Sequence, residues 1–426
     1  MGKTIAEKIL ESHALDGSTR VEPGEIVRAR VDIVLINDVN STLTFRHFDN
    51  MGGGAVAAPD KVVLVCDHFA PAPHASGARL AKDMRRFAAE KGVRHFFDAG
   101  KGGIEHTLLP EQGLIGPGDL VVGGDSHTGT TGAFSVFATG MSWAGLAAIM
   151  MLDETWFRVP ESMRIVLTGA KPKFVTGKDI ILRVLRDIGV AGGLYKSMEF
   201  TGPALSQFNM DERMGICNMV VEAGAKVGIV EPDAQTEQWA KTHCRRPFTL
   251  VRPDADAQYE SRHEIDVSVL RPLVAKPYSP GNVVELDDVK GVRVDQVYMG
   301  NCANGTITDL RQIASIFKGR KVAKGTRAII VPATQEIYRQ AIAEGLCEIF
   351  VEAGAAVTTP TCGACFGAHN GALDDGEVAI ATINRNFKGR GGHPGAQVFL
   401  ANSFVAAAAA VAGEIVDPAD LQEVSW

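Results

Sequence analysis

Cysteine is scarce in this chain: seven residues in 426, an odd number at scattered positions. That count excludes a disulfide framework and suits a reducing, cytoplasmic setting, where each thiol is either core filling or a reagent. A basic surplus is missing as well. Lys and Arg number 43 against 50 Asp and Glu, a formal net charge of −7. No positive stripe interrupts that balance, which argues against nucleic acid or an anionic membrane as the main partner. Long apolar runs are absent too. The most apolar stretch, 133–151, is broken by Ser, Thr, Gly and Trp and closed by Asp153 and Glu154, so a buried helix is expected there and no membrane span. The opening MGKTIAEK enters a helical pattern without an apolar leader, and Ala6 spoils a myristoylation signal. Finally, no nucleotide loop is evident. The glycines at 52–54 and 100–103 fit neither GxGxxG nor GxxxxGK[ST], and Asp125-Ser126-His127 does not complete the Gly-x-Ser-x-Gly frame of a serine hydrolase.

What is present is the balance of a folded protein, 46% hydrophobic and 22% charged, long enough for two or three domains. Short apolar runs alternate with helical stretches, the signature of an α/β fold. Strands are expected at 61–66, 95–98 and 120–122, with a helix over 78–91. After Pro160 come a strand at 163–168, a helix at 176–188 capped by Thr176, and a further helix within 202–231 that ends at the turn Glu231-Pro232-Asp233. The proline-rich segment 272–281 reads as a linker. Strands at 294–299, 327–331 and 379–382 follow, and the alanine run 406–410 reads as a packed helix. The expectation is three α/β domains, 1–165, 166–285 and 286–426.

Two constellations carry chemistry. Cys362 and Cys365 lie in TCGACFG after a Thr-Thr-Pro turn, and Cys302 lies in GNCANG after an expected strand. A thioredoxin-like pair belongs at the first helix of a small domain, and structural zinc needs four ligands where no second CxxC exists. Two buried thiols on a tight turn remain the bland alternative. Three thiolates without a fourth suit a cubane cluster whose fourth iron stays open as a Lewis acid. The second constellation is His68 after Asp67, His106 in GGIEHT, and His127 in Asp125-Ser126-His127. A carboxylate beside an imidazole fixes its tautomer and raises its basicity, as a proton-transfer site requires.

Together these stretches resemble the aconitase superfamily, and within it the large-subunit branch of the two-subunit 3-isopropylmalate dehydratases and homoaconitases. The resemblance rests on DHFAPA (67–72), GIEHTLLPEQGL (103–114), GGDSHTGTTGAF (123–134), GICNMVVEAGAK (215–226), GNCANG (300–305), TCGACFG (361–367) and NRNFKGR (384–390). It implies three aconitase-type α/β domains around a [4Fe–4S] cluster held by Cys302, Cys362 and Cys365. The fourth, swivelling domain, which carries the catalytic base, is expected on a separate small subunit, since the chain ends at Trp426 without one. It further implies that Asp67 and His68 protonate the leaving hydroxyl, and that His106, Asp125 and His127 shape the water side of the iron. Ser126 would lie close by. Asn218 and Glu222 would orient groups there, and Asn384, Arg385 and Arg390 would meet cluster and substrate carboxylate. The implied reaction is reversible dehydration of a hydroxy di- or tricarboxylate, with 3-isopropylmalate first and homoaconitate, dimethylmalate or a methyl-malate as alternatives. A cluster-sensing RNA binder and a cluster-free binding subunit are the rivals of another class. The chain departs from the pattern at Asn301, Ala303, Gly129 and 37–42.

Overall fold

The computed structural model describes residues 2–15 and 20–421. Five apolar runs, each too short for a helix, line up as parallel strands in the order His95–Phe97, Val62–Val65, Ile33–Asn37, Leu120–Gly123, Phe137–Gly140. The central strand Ile33–Asn37 is buried along its whole length, as a strand covered on both faces must be. A second parallel sheet runs Val227–Val230, Ser197–Thr201, Ser162–Thr168, Ser261–Asp266. The third has seven strands: Val283–Glu285, Leu273–Ala275, Gln397–Leu400, Val378–Ala381, Gln296–Gly300, Arg327–Val331 and Ala356–Val357. Its last five strands are parallel; Leu273–Ala275 pairs antiparallel with Gln397–Leu400, and Val283–Glu285 antiparallel with Leu273–Ala275.

By packing, the chain forms two compact units, Met1–Gly169 with Ala191–Asp266, and Ala170–Val190 with Val267–Trp426. The first two sheets share a unit. The helix Gly177–Ile188 follows the second sheet's strand in sequence yet belongs with the seven-stranded sheet, so linear boundaries at 165 and 285 do not coincide with the units. The helix itself is as read from the sequence, with Thr176 and Asp179 closing a capping box.

Three expectations need correction. The stretch 133–151 is not one helix: a 3-10 turn ends at Phe134, Phe137–Gly140 pairs with Leu120–Gly123, and a helix begins only at Trp143 behind the Ser142 cap. Gly140 and Ser142 interrupt the helix, and the free edge of the parallel sheet takes up the apolar residues before them. The helix in 202–231 does not run to the turn at 231–233: it is Met210–Asn218, followed by a 3-10 turn that the left-handed Gly224 closes and by the strand Val227–Val230. The supposed linker 272–281 opens with Leu273–Ala275, fully buried and hydrogen-bonded to two strands. Its prolines flank the strand, Pro272 before it and Pro277 and Pro280 after it, instead of filling it.

Candidate active site

Parallel strands deliver functional side chains from their carboxyl ends, and here they do so in both units. In the first unit Asp38 follows Asn37, Asp67 and His68 follow Val65 by two and three residues, and Asp125, Ser126 and His127 follow Gly123. The short helix Glu105–Glu111 adds His106.

The resulting cluster is dense. His68 Nδ1 meets Asp67 Oδ1 at 2.7 Å, while the other Asp67 oxygen accepts the Glu105 backbone N–H at 2.9 Å. Asp38 fixes the loop from below, accepting the N–H groups of His68 and Phe69 at 3.1 and 2.8 Å. His68 Nε2 lies 3.7 Å from Asp125 Oδ2. Burial alone would lower the His68 pKa, but the charge and hydrogen bond of Asp67, then Asp38 and Asp125, outweigh it and lift the imidazole to about 10. His68 is thus an imidazolium at neutral pH, a proton donor held by its Nδ1 side.

Asp125 is the hub between the other two histidines. One of its oxygens lies 3.1 Å from His106 Nε2 and accepts the His127 N–H at 2.7 Å. Burial works against its charge, yet the hydrogen bonds from His106 and His127 hold its pKa well below the usual range. His127 Nε2 in turn meets Glu222 at 2.9 Å, and Ser126 Oγ lies 3.4 Å from His127 Nδ1. Asn218 donates to Thr130 Oγ1 at 2.8 Å, and Thr130 donates to the His127 carbonyl, so both are braces of the same turn. Ser126 also lines an open cavity of about 350 Å³ with Ser142 and Lys226. All seven residues singled out in this unit's sequence as catalytic, and Asn218, therefore fall in one connected network.

Sequence reasoning missed Asn37, Asp38 and Glu105. Asn37 caps the helix Asp38–Asn50 with its oxygen, which frees its amide nitrogen to donate to Glu105 at 2.8 Å. The other Glu105 oxygen is buried with no hydrogen-bond partner among the described residues. Burial first, and then Asp67 and Asp125, push the Glu105 pKa well above the usual range, which favours the neutral acid. A pH signature follows. A folded-state pKa raised above the unfolded one gives a contribution that is full below about pH 4.3 and is lost as pH rises toward the folded pKa. Glu105→Gln, which copies the neutral form, should match the parent near pH 4.5 and be the more stable chain at pH 8. Urea midpoints at the two pH values check it, and an equal midpoint at pH 8 contradicts a neutral Glu105.

Gly129, where the resemblance leads one to expect Cys, is not demanded by sterics. A Cβ there would meet its nearest neighbour, the Cys217 carbonyl, at 3.7 Å, an ordinary contact.

In the second unit the three cysteines also follow strand ends. Cys302 comes two residues after Gly300, and Cys362 and Cys365 lie in the loop after Ala356–Val357. Gly300 sits at φ 119° with Val331 O only 2.0 Å from where a Cβ would be, so glycine is required. Asn301 adopts φ 109°, and its side-chain oxygen accepts the N–H groups of Ala303 and Asn304 at 2.9 and 3.0 Å, an Asx turn that displays Cys302. The three cysteines are nearly buried at 4, 7 and 1% exposure. One amide joins two of them: Asn384 Nδ2 lies 3.4 Å from Cys302 Sγ and its oxygen 3.5 Å from Cys365 Sγ. Asn301 Nδ2 and an Arg390 nitrogen approach Cys365 Sγ at 3.8 and 4.0 Å. Burial, and then the charges of Cys365, Cys362 and Cys302, raise the Tyr298 phenol well above its usual range, so all three sulfurs act on one buried ring. Arg385, next to Asn384, is half-buried.

This donor set fits an iron–sulfur cluster in kind: one amide reaches the soft sulfurs of Cys302 and Cys365, Cys362 lies in the same loop as Cys365, and side-chain N–H groups are placed to donate to sulfur. The remaining cysteines do not join it. Cys66 and Cys217 are buried in the other unit and Cys244 is half-buried there, while Cys347 sits half-buried on the helix Leu346–Ala353.

Comparison with known proteins places the chain as a whole. Residues 7–413 match the aconitase family (aconitate hydratase). The chain is 50% identical over 422 residues to the 3-isopropylmalate dehydratase large subunit 2 of Rubrobacter xylanophilus, covering 99% of each chain. It is 48% identical to the large subunit of the same enzyme from Acetivibrio thermocellus, over 99% of this chain and all of that one. A large subunit 1 from Pyrococcus abyssi matches at 47% over 99% of this chain. No helix among the described residues is long and apolar enough to cross a membrane. With a match from residue 7 to residue 413 and half of all positions identical to a full-length relative, the chain belongs to the aconitase family.

Proposed function

We propose that this chain is the large subunit of a [4Fe–4S]-dependent hydro-lyase of the 3-isopropylmalate dehydratase type, acting in the cytoplasm. The observation that carries the reading is the buried, hydrogen-bonded His68–Asp67 pair at the end of one parallel sheet, on a chain that also carries three buried cysteines beyond strand ends of another. Cys302, Cys362 and Cys365 would hold the cluster, which when bound supplies a Lewis acid for hydroxyl and carboxylate.

The chain's own residues do the rest. His68 delivers its proton to the departing hydroxyl oxygen as the C–O bond breaks, and takes a proton back when water adds again. Asp67 keeps the ring oriented and its charge compensated throughout. Asp125, held ionised between His106 and His127, orients the leaving or entering water, and Glu222 holds His127 in turn. Arg385 and Arg390 suit the substrate carboxylates by the forked guanidinium geometry. The base that removes the carbon-bound proton is expected on a small subunit, as the resemblance implies and as the relatives' designation "large subunit" supports.

The test is reconstitution. The cluster-loaded chain alone should turn over little substrate, and adding its small subunit should restore conversion of 3-isopropylmalate, followed by absorbance of the unsaturated intermediate. Full turnover by the isolated chain would refute the split of labour. A small apolar substituent is worth only about 1–3 kcal/mol in a pocket, so the same assay should include homoaconitate, dimethylmalate and methyl-malates. A kcat/KM for any of them tenfold above that for 3-isopropylmalate would change the substrate and leave the reaction class standing.

A further inference from the structure

Lys178 is completely buried in the second unit, a rare situation for lysine unless a counter-charge is at hand. Its ammonium donates to two neutral carbonyls, Thr382 at 3.0 Å and Ile383 at 2.6 Å. Among the described residues no carboxylate lies within ion-pair distance of it. The two acids that act on it through space are already committed. Asp179 accepts from Thr176, Leu273 and Asn402, and Asp309 accepts from Asn304, Thr306 and Ser403. Burial pushes the ammonium down to about 8, and the opposing pull comes first from Cys302 and Cys365, ahead of either acid.

The carbonyls that Lys178 grips belong to the two residues immediately before Asn384, whose amide touches both of those sulfurs. The ammonium is therefore fastened to the same short segment that contacts the thiolates. Resting on the cluster assignment above, we propose that Lys178 is the buried counter-charge of the cluster, a positioning residue that sets its reduction potential and slows oxidative loss of its open iron. Three thiolates and a doubly charged cubane carry a net charge of about −1, which one buried ammonium balances. A fixed positive charge in a low-dielectric interior favours the more reduced state of its neighbour, so removing it makes reduction harder and oxidation easier.

The test compares the full chain with Lys178→Met, Lys178→Gln and Lys178→Arg, each reconstituted anaerobically with iron and sulfide. The readouts are the midpoint potential by electron paramagnetic resonance titration and the rate of iron release in air. Both neutral variants should shift the potential to more negative values and lose the open iron several-fold faster, while Lys178→Arg stays near the parent. The thermal midpoint of each apoprotein reports any role as a plain clamp on Thr382 and Ile383. A neutral variant with the parent potential and the parent rate of iron loss overturns the proposal. So does failure of both neutral apoproteins to fold while Lys178→Arg folds, which assigns Lys178 to structure alone. If the parent chain takes up no cluster, the cluster assignment itself has failed, an outcome distinct from either.

Discussion

Replacing any one of Cys302, Cys362 or Cys365 with serine should empty the chain of iron, whereas Cys347→Ser should leave it loaded. The parent, reconstituted without oxygen, is expected to hold about four irons and four sulfides per chain. Each of the three sulfurs is nearly buried and follows a strand end, and the remaining four cysteines lie elsewhere. A serine hydroxyl is a hard, poorly ionised donor and does not substitute for a thiolate toward iron. Cys347, on the helix Leu346–Ala353, packs at the margin of the unit's apolar cluster and lies outside this arrangement. Activity should follow the metal. Loss of a Lewis acid worth several kcal/mol corresponds to a fall of roughly a thousandfold or more in kcat. Iron and sulfide analysis with electron paramagnetic resonance decides the matter, and full occupancy in the Cys302 variant would remove that residue from the ligand set. The same apoproteins should retain their secondary structure, because the cysteines sit on loops and the strands pair without them.

His68→Ala should cost about 10²–10⁴ in kcat with small change in KM, the usual scale for losing a general acid. Asp67→Asn is the more informative variant. It keeps the shape and leaves an oxygen for the Glu105 N–H, but removes the charge that does most to hold the imidazolium. The His68 pKa should then fall from about 10 toward the ordinary histidine range. For a group that acts when protonated, activity is full below its pKa and is lost as pH rises through it. The parent's alkaline limb from this group is expected near pH 10, and the limb of Asp67→Asn should move down toward neutrality. The linked stability term has the same sign: the interaction is fully present below about pH 6.5 and disappears as pH rises through the folded-state pKa. A pH–rate profile of the reconstituted pair measures the shift. An unmoved limb with undiminished kcat would take the proton-donor role away from His68.

The site was more legible than the fold, and particular residues explain why. Cys302, Cys362 and Cys365 announce themselves because thiols are rare here and two of them share one loop. Asp67-His68 and Asp125-Ser126-His127 announce themselves because acid and imidazole are adjacent in sequence and follow apolar runs. Asp38 and Glu105 do not. Asp38 acts through the backbone of residues 68 and 69, and Glu105 matters because burial and Asp67 suppress its charge, neither of which leaves a pattern in the primary structure. The helix Gly177–Ile188 was visible from Thr176 and its apolar spacing, whereas its membership in the second unit was not. Leu273–Ala275 was masked by the prolines around it, since local turn chemistry outweighs three apolar residues in any short window.

By itself, the amino-acid order determined that the chain is an α/β protein, because apolar runs of strand length alternate with capped helices, and covalent adjacency already pairs His68 with Asp67. It also singled out which thiols are candidates for a metal centre, because spacing and scarcity are properties of the chain. Only the tertiary structure decided charge states. The Asp125 pKa is driven down and the Glu105 pKa up, although both are carboxylic acids in one cluster, because His106 and His127 hydrogen-bond to the first, and the second is sealed beside Asp67 with one oxygen lacking a hydrogen-bond partner among the described residues. In the same way Lys178 is an unremarkable cation in the sequence and a buried charge in the fold. Desolvation depends on everything packed around a group, and that packing is assembled from segments hundreds of residues apart.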